Sequence, residues 1–375
     1  MRIGVDARPL SGNRTGIGNY TLQLLLNLVN QENPHEYFLF AHKEFDLPKE
    51  LQCLQKVIRT ARSGTLWMQY GLPFLLEKYK IDLFWGPNYT IPLLHLSPIK
   101  TVLTIHDMVS FIYPKTLPKK TVLHNLYALP LYVKNADWVI TDSNSTMYDV
   151  QSFLGVNDDR ISSLPLGVSE SYFKKRANSK NVINSYGLIP NQFILYVGTI
   201  EPRKNLETII KAYLEVNKKL EFLPDLVIIG KKGWGYDSFF DCVQSSKLNT
   251  KIHILEYISD EDLACFYQEA LMMIYPSLYE GFGLPVLEAM ASGLPVITSN
   301  VSSLPEVVGD AGLLVNPYSV SELSNAICLL VYDGNLRNEI SGKARRRASS
   351  FSWKNTANKT REIFDHLLLN KKYGC

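Results

Sequence analysis

The chain has 375 residues, 46% of them hydrophobic and 20% charged, with a formal net charge of +3. That length exceeds what one hydrophobic core ordinarily fills, so two domains are expected, and the charge is too small to indicate a nucleic-acid partner. Residues 1–185 hold 20 Lys and Arg against 15 Asp and Glu, while residues 186–375 hold 19 against 21, a mild excess compatible with a peripheral contact of the N-terminal half on an anionic membrane.

The five cysteines (Cys53, Cys242, Cys265, Cys328, Cys375) are scattered, without a C-x-x-C pair or a cluster with His. This spacing indicates a reducing compartment and no structural zinc. The first residues, MRIGVDARPL, enter a strand-like run without the apolar core of a signal peptide, and no run of about 20 apolar residues occurs. A cytoplasmic protein is expected, peripheral at the inner membrane face if it meets the membrane.

In chain order, IGVDA, YFLFA, IDLFWG, TVLTIHD and WVITDS read as strands between helical patterns, of which NYTLQLLLNLVN is the first. This alternation predicts a parallel sheet with helices on both faces. After Ile161–Val168 a polar stretch rich in Lys, Asn and Ser spans 169–189, and FILYVGT then opens a second series through LVIIG, IHILEY, LMMIYPS, PVITSN and GLLVN. We therefore expect an N-terminal domain at 1–168, a linker at 169–189, a second domain at 190–351 and a closing amphipathic helix within 352–375. Ser259 to Asp262 and Ser319 to Glu322 have capping-box spacing ahead of apolar periodicity. Two aromatic and basic stretches, Thr65–Lys80 and Tyr113–Lys134, read as core helices with charged edges or as contacts to lipid or a lipid-linked acceptor.

The most informative segment is PSLYEGFGLPVLEAMASGLPVI, in which Glu280 and Glu288 flank a Gly-Phe-Gly-Leu-Pro break. On one unbroken helix the two would stack about 12 Å apart. The break instead puts Glu280 on a loop and Glu288 in the helix that Pro285 opens and Gly293 closes. Gly281 and Gly283 let the backbone approach a ligand, the N–H groups at the helix start, Leu284 first, face an anion, and the two carboxylates can accept from hydroxyls. Phosphate together with a polyol suggests a sugar nucleotide. An ordinary turn with a helix-dipole partner is the competing reading of the segment alone.

Other segments agree with the sugar nucleotide. Gly198-Thr-Ile-Glu-Pro-Arg203-Lys204-Asn205 follows the strand FILYV and precedes a helix, so Arg203 and Lys204 suit a diphosphate, or are a solvated pair. Thr15-Gly16-Ile17-Gly18 follows the first strand as an anion nest, a close substrate approach or a plain turn, and Thr21 breaks the G-x-G-x-x-G pattern of dinucleotide-binding folds. His106 and Asp107 end the strand TVLTI, where His can donate to a sugar oxygen or serve the core. Gly230 ends LVIIG ahead of Lys231 and Lys232, which suit a phosphate or a surface turn, and Tyr257 with Ile258 follows IHILE in a position that suits a base pocket or core packing.

With these motifs the whole chain resembles the retaining glycosyltransferases of family 4, the group 1 glycosyltransferases. The resemblance implies the GT-B fold: two Rossmann-like α/β/α domains facing across a cleft, with a C-terminal helix crossing back to the first. It implies a donor site made of Gly16, Gly18, Gly198, Thr199, Arg203, Lys204, Gly230, Tyr257, Ile258, Glu280, Gly281, Phe282, Gly283, Leu284 and Glu288. Within it Arg203 and Lys204 would meet the diphosphate, Glu288 the ribose, and Glu280 with the Phe282 and Gly283 backbone the transferred sugar. Gly16, Ile17, His106 and Asp107 would lie on the acceptor side, and the residues at the reacting centre would be His106, Glu280, Arg203 and Lys204. Many members carry Arg where this chain has Thr199, which puts more weight on Arg203 and Lys204.

Members with GTGIG-x-Y and VGT-x-EPRKN are often found in surface-polysaccharide assembly, frequently with GDP-mannose. The expected reaction is hexose transfer from a nucleotide sugar to a saccharide or lipid-linked acceptor, without a cofactor. No metal ion is expected: the D-x-D of the second half, Asp260-Glu261-Asp262, falls in the capping-box segment that begins at Ser259. A nucleotide-sugar epimerase, a phosphorylase and a non-catalytic partner subunit are the alternatives.

Overall fold

The computed structural model describes residues 1–12, 16–29 and 35–373. The chain divides into two compact units, the first built from Met1–Phe111, Lys120–Gly167 and the segment from Ser352 onward, the second from Ile112–Lys119 and Val168–Phe351.

The first unit contains a seven-stranded sheet of β1 (Arg2–Asp6), β2 (Glu36–Ala41), β3 (Gln55–Ile58), β4 (Leu83–Gly86), β5 (Lys100–Ile105), β6 (Trp138–Thr141) and β7 (Ile161–Ser163). The order is β3-β2-β1-β4-β5-β6-β7, with every neighbouring pair parallel. A parallel sheet covered on both faces needs strands that are apolar throughout rather than alternating. Ile3, Val5, Leu39, Phe40, Phe84, Trp85, Val102, Leu103, Ile105 and Val139 are accordingly fully buried. The edge strand β3 was not among the expected ones, because only Val57 in QKVI is buried and so short a run shows no period.

The helix Gly16–Val29 buries Tyr20, Leu24, Leu25 and Leu28. It already includes Gly16, Ile17 and Gly18, so these three form its first turn rather than the expected loop, while Thr15 lies outside the described residues. The closing helix Trp353–Tyr373 belongs to this unit. It packs on the helix Gly16–Val29, Phe364 is fully buried 6.1 Å from the Trp85 ring, and the Thr356 hydroxyl donates to the Pro165 carbonyl at 2.7 Å. Gly167 permits the crossing, since a Cβ there would lie 2.0 Å from the Trp353 nitrogen.

The second unit contains a six-stranded sheet of β8 (Phe193–Val197), β9 (Asp225–Ile229), β10 (Ile252–Leu255), β11 (Met272–Tyr275), β12 (Val296–Ser299) and β13 (Leu313–Val315), in the parallel order β10-β9-β8-β11-β12-β13. The stretch 169–189, expected as a linker, is built into this unit. It folds as a turn, Glu170–Phe173, and a helix, Ser179–Ser185. Ile183 is fully buried, the Ser179 hydroxyl donates to Glu269 at 2.6 Å, and Arg345 donates to the Phe173 carbonyl at 2.7 Å. A polar composition hides such packing because one apolar residue and several hydrogen bonds suffice to fix a two-turn helix. Residues 112–119 also join this unit: the Trp234 indole donates to the Thr116 carbonyl, and the Tyr113 and Tyr318 hydroxyls lie 3.1 Å apart.

In each unit the strand order reverses once, between β1 and β4 in the first and between β8 and β11 in the second. Connections leave in opposite directions at such a point, and the strand C-termini there open a crevice for ligands.

Candidate active site

In the second unit, Arg203 and Lys204 follow β8 and Glu280 follows β11, so the three flank the reversal point. The peptide chain ties the two segments together, since the Leu278 N–H donates to the Arg203 carbonyl at 2.9 Å. Asn205 adopts a left-handed conformation (φ 60°), and its amide donates to the carbonyls of Pro276 and Pro317 at 3.0 and 2.7 Å. These bonds fix the 3-10 turn Pro202–Lys204 against the glutamate loop.

The side chains then form a buried cluster. Arg203 donates through Nη1 to Glu280 Oε2 (2.8 Å) and to the Tyr279 carbonyl (2.6 Å), and through Nη2 to Glu201 Oε1 (2.7 Å). Lys204 Nζ donates to Glu280 Oε1 and to the Tyr275 hydroxyl, both at 2.7 Å, and the Ser277 hydroxyl donates to the same Glu280 oxygen at 2.6 Å. The Glu280 backbone is held too, its N–H donating to Ser302 Oγ at 3.0 Å and its carbonyl accepting from Ser303 Oγ at 2.9 Å. Burial alone would raise the Glu280 pKa, but Arg203 and Lys204 overcome it and hold the carboxyl at about 2. Lys204 is lowered by burial and by Arg203, against the pull of Glu280.

Glu288 lies in the helix Leu284–Ala291 and meets no cation among the described residues. Its Oε2 accepts from the Tyr267 hydroxyl at 3.0 Å, and Tyr172 donates to it as well. Burial pushes this carboxyl up to about 7; the two tyrosine hydroxyls oppose the shift and Asp260 adds to it. Gly283, at φ 109°, turns the chain into this helix with Pro285 in its first turn, so the Leu284 N–H stands at the helix start without an i−4 acceptor.

The remaining expected donor residues divide. Thr199 and Tyr257 are exposed, the latter by 79%, with the Lys231 ammonium 5.9 Å from the Tyr257 ring centre, whereas Ile258 is buried. Gly230 has a packing reason to be glycine, because a Cβ there would lie 1.9 Å from the Gly198 carbonyl oxygen. Gly281 and Phe282 are buried, and the Phe282 ring meets Phe351 edge-on at 5.9 Å.

In the first unit the corresponding strand ends carry a separate polar cluster. His106 is 9% exposed, with Nδ1 2.7 Å from Asp142 Oδ2 and Nε2 2.7 Å from the Pro87 carbonyl. Both partners are acceptors, so the arrangement is fully satisfied by an imidazolium donating from both nitrogens. Burial works against that charge, but Asp142 and the Pro87 carbonyl raise the His106 pKa on balance. His106, expected to donate to a sugar oxygen or to serve the core, has both ring nitrogens on acceptors within the unit. Asp107 accepts from the Val109 N–H at 3.1 Å and so starts the short helix Val109–Ile112. At the reversal point itself, Arg8 grips Asp6 through Nε (2.8 Å) and Nη2 (2.7 Å) and donates to Thr90 Oγ1 at 2.6 Å.

Sequence reasoning did not assign Glu201, Tyr275, Ser277, Tyr267, Tyr172, Asp142, Asp6 or Arg8 to either site. Glu201 stands inside the quoted Glu-Pro-Arg-Lys run, and Asp6 and Asp142 end apolar strands, so position could have marked these three. Tyr267 and Tyr172 come from a helix and a turn distant in sequence, where nothing local distinguishes them. Among the described residues no group of three or more His, Cys, Asp or Glu could hold a metal ion.

Residues 14–172 match the family described as Glycosyltransferase Family 4, and residues 182–347 match Glycosyl transferases group 1. The O-antigen chain mannosyltransferase B of Escherichia coli is 31% identical over 96% of this chain and 98% of its own length. O-antigen chain mannosyltransferase RfbU of Salmonella typhimurium is 29% identical over 64% of this chain and 62% of its own. The fold is similar to that of a sucrose-phosphate synthase from Thermosynechococcus elongatus (TM-score 0.80, 20% identity, 99% of this chain and 100% of that one). It is also similar to Anabaena HepE, solved with UDP and glucose (TM-score 0.77, 18% identity, 98% and 100%). The chain belongs to the family 4, group 1 glycosyltransferases and has their GT-B fold.

Proposed function

We propose that the protein is a retaining mannosyltransferase that moves mannose from GDP-mannose to a saccharide or lipid-linked acceptor in the assembly of a cell-surface polysaccharide. The observation that carries this reading is the convergence of Arg203, Lys204 and Glu280 at the reversal point of the second sheet, one helix start away from Glu288. The names of the two O-antigen relatives support the sugar and the setting.

In this mechanism Arg203, Lys204 and the Leu284 N–H stabilise the charge that grows on the departing diphosphate, in place of a divalent ion. Glu288 and Glu280 receive the ribose and sugar hydroxyls. Glu280, a carboxyl with a pKa of about 2, is a weak base and serves to position the sugar. The acceptor hydroxyl attacks from the leaving-group face and passes its proton to a diphosphate oxygen. As the sugar–phosphate bond breaks, the new glycosidic bond forms with the same anomeric configuration. In the first unit the His106 ring is held by Asp142 and the Pro87 carbonyl.

A membrane-borne acceptor also suits the first unit. Among the described residues no helix is long and apolar enough to cross a membrane. Leu66, Tyr70, Phe74, Leu123, Tyr127 and Leu131 are nevertheless exposed, and within this unit residues 51–76 and 120–136 contain no Asp or Glu. Such a surface suits the interface of an anionic bilayer.

A thermal-shift screen against GDP-, UDP-, ADP- and dTDP-sugars tests the donor, with GDP-mannose expected to raise the melting temperature most. Incubation with labelled GDP-mannose and acceptor should then give free GDP and an α-linked mannoside. No shift with any nucleotide sugar, or isomerised sugar without transfer, would overturn the reading.

A further inference from the structure

The cation pair assigned above to the diphosphate is paired with carboxylates of its own unit. Both oxygens of Glu280 face it, Oε2 to Arg203 at 2.8 Å and Oε1 to Lys204 at 2.7 Å, a two-oxygen, two-cation contact of the kind a phosphate would make. With Glu201 on the far edge of Arg203, two carboxylates neutralise two cations, and all four side chains are at most 12% exposed. A diphosphate therefore arrives at a site that carries no surplus positive charge and has little direct access to its cations.

Resting on the proposed donor site, we infer that Glu280 is a built-in occupant of the phosphate position and is released only by a ligand that supplies both a diphosphate and sugar hydroxyls. The diphosphate takes over Arg203 and Lys204, and the sugar hydroxyls become the new donors to the displaced carboxylate. A nucleoside diphosphate alone offers the first exchange without the second. It leaves a buried carboxylate short of partners, which is costly. Glu201, which holds Arg203 through Nη2 alone, keeps the guanidinium in place during the exchange. The same arrangement favours product departure, because once the sugar has left on the acceptor, Glu280 reclaims the two cations and competes with GDP for them.

Calorimetric titration with GDP and with GDP-mannose, in the wild-type protein, Glu280→Gln, Glu201→Gln and Ser277→Ala, tests this. Wild type should bind GDP-mannose more tightly than GDP. Glu280→Gln should bind GDP about tenfold more tightly and lose most of that preference. Glu201→Gln removes one negative charge from the same cluster without vacating the phosphate position, so it should tighten GDP far less. Ser277→Ala keeps every charge but removes the hydroxyl that fastens Glu280 Oε1, and should tighten GDP by a smaller factor in a protein that folds even where Glu280→Gln does not. Unchanged or weaker GDP binding in both Glu280→Gln and Ser277→Ala, or equal tightening in Glu201→Gln, would overturn the inference. The donor-site reading fails separately, if neither nucleotide binds the wild type or if Arg203→Ala leaves binding intact.

Discussion

The loop that carries Glu280 and the helix Leu284–Ala291 that carries Glu288 are adjacent in sequence, yet they treat the same side chain in opposite ways. Two cations and a serine hydroxyl hold Glu280 and keep its carboxyl at about 2, while two tyrosine hydroxyls hold Glu288 and burial lifts it to about 7. Burial pushes both carboxyls in the same direction. The difference arises from the partners: a charged donor repays the desolvation of an anion, and a neutral hydroxyl repays only part of it. Glu280 is thus committed to being an anion, whereas Glu288 near neutral pH can donate as well as accept, which suits a ribose with its vicinal hydroxyls.

Lys204→Met tests this contrast with the largest expected effect. It should cost about 3–5 kcal/mol, because it removes one of two cations from a buried carboxylate, and adding Glu280→Gln should restore much of the loss. Urea unfolding of the two single variants, the double variant and the wild type measures the coupling; additive effects would mean that the cluster does not act as a unit.

A smaller effect is expected at Glu288. A carboxyl whose folded pKa lies above its unfolded value binds more protons in the folded state, so its contribution to stability falls as pH rises from about 4.5 to about 7. Glu288→Gln should remove that slope and stabilise the protein at pH 8 by roughly 1–2 kcal/mol, after allowance for partial exposure, while weakening nucleotide binding. Equal stability changes at pH 5 and pH 8 would break the comparison. Tyr267→Phe, the mildest change, takes one donor from Glu288 and should raise its pKa further at a cost of about 1 kcal/mol. Titration of the Glu288 side-chain carbon by NMR in this variant would read the shift directly.

The second unit was more legible than the first. Its glutamates, the Arg203-Lys204 pair and the helix starts are set by local chemistry: Gly and Pro at the break, a capping serine at Ser259 that accepts from the Asp262 N–H at 3.0 Å, and another at Ser319 that accepts from the Glu322 N–H at 3.2 Å. In the first unit the partners of His106 were not legible, because Asp142 and Pro87, which fix its ring, come from other strand ends. The stretch 169–189 misled for a related reason, since its partners are distant in sequence: Ser179 donates to Glu269, Tyr186 to Asp262, and the Phe173 carbonyl accepts from Arg345 of the helix Gly334–Ala348.

The sequence by itself determined two α/β units, the strand cores, the helix ends near the site, and the separation of Glu280 on a loop from Glu288 on a helix, because each of these follows from residues within a few positions of one another. Only the tertiary structure decided that Arg203 and Lys204 rest on Glu280, that Glu201 completes their neutralisation, and that Tyr172 and Tyr267 meet at Glu288. Those outcomes depend on which strand ends the sheet order brings side by side, and on how much water remains between the charges that meet there.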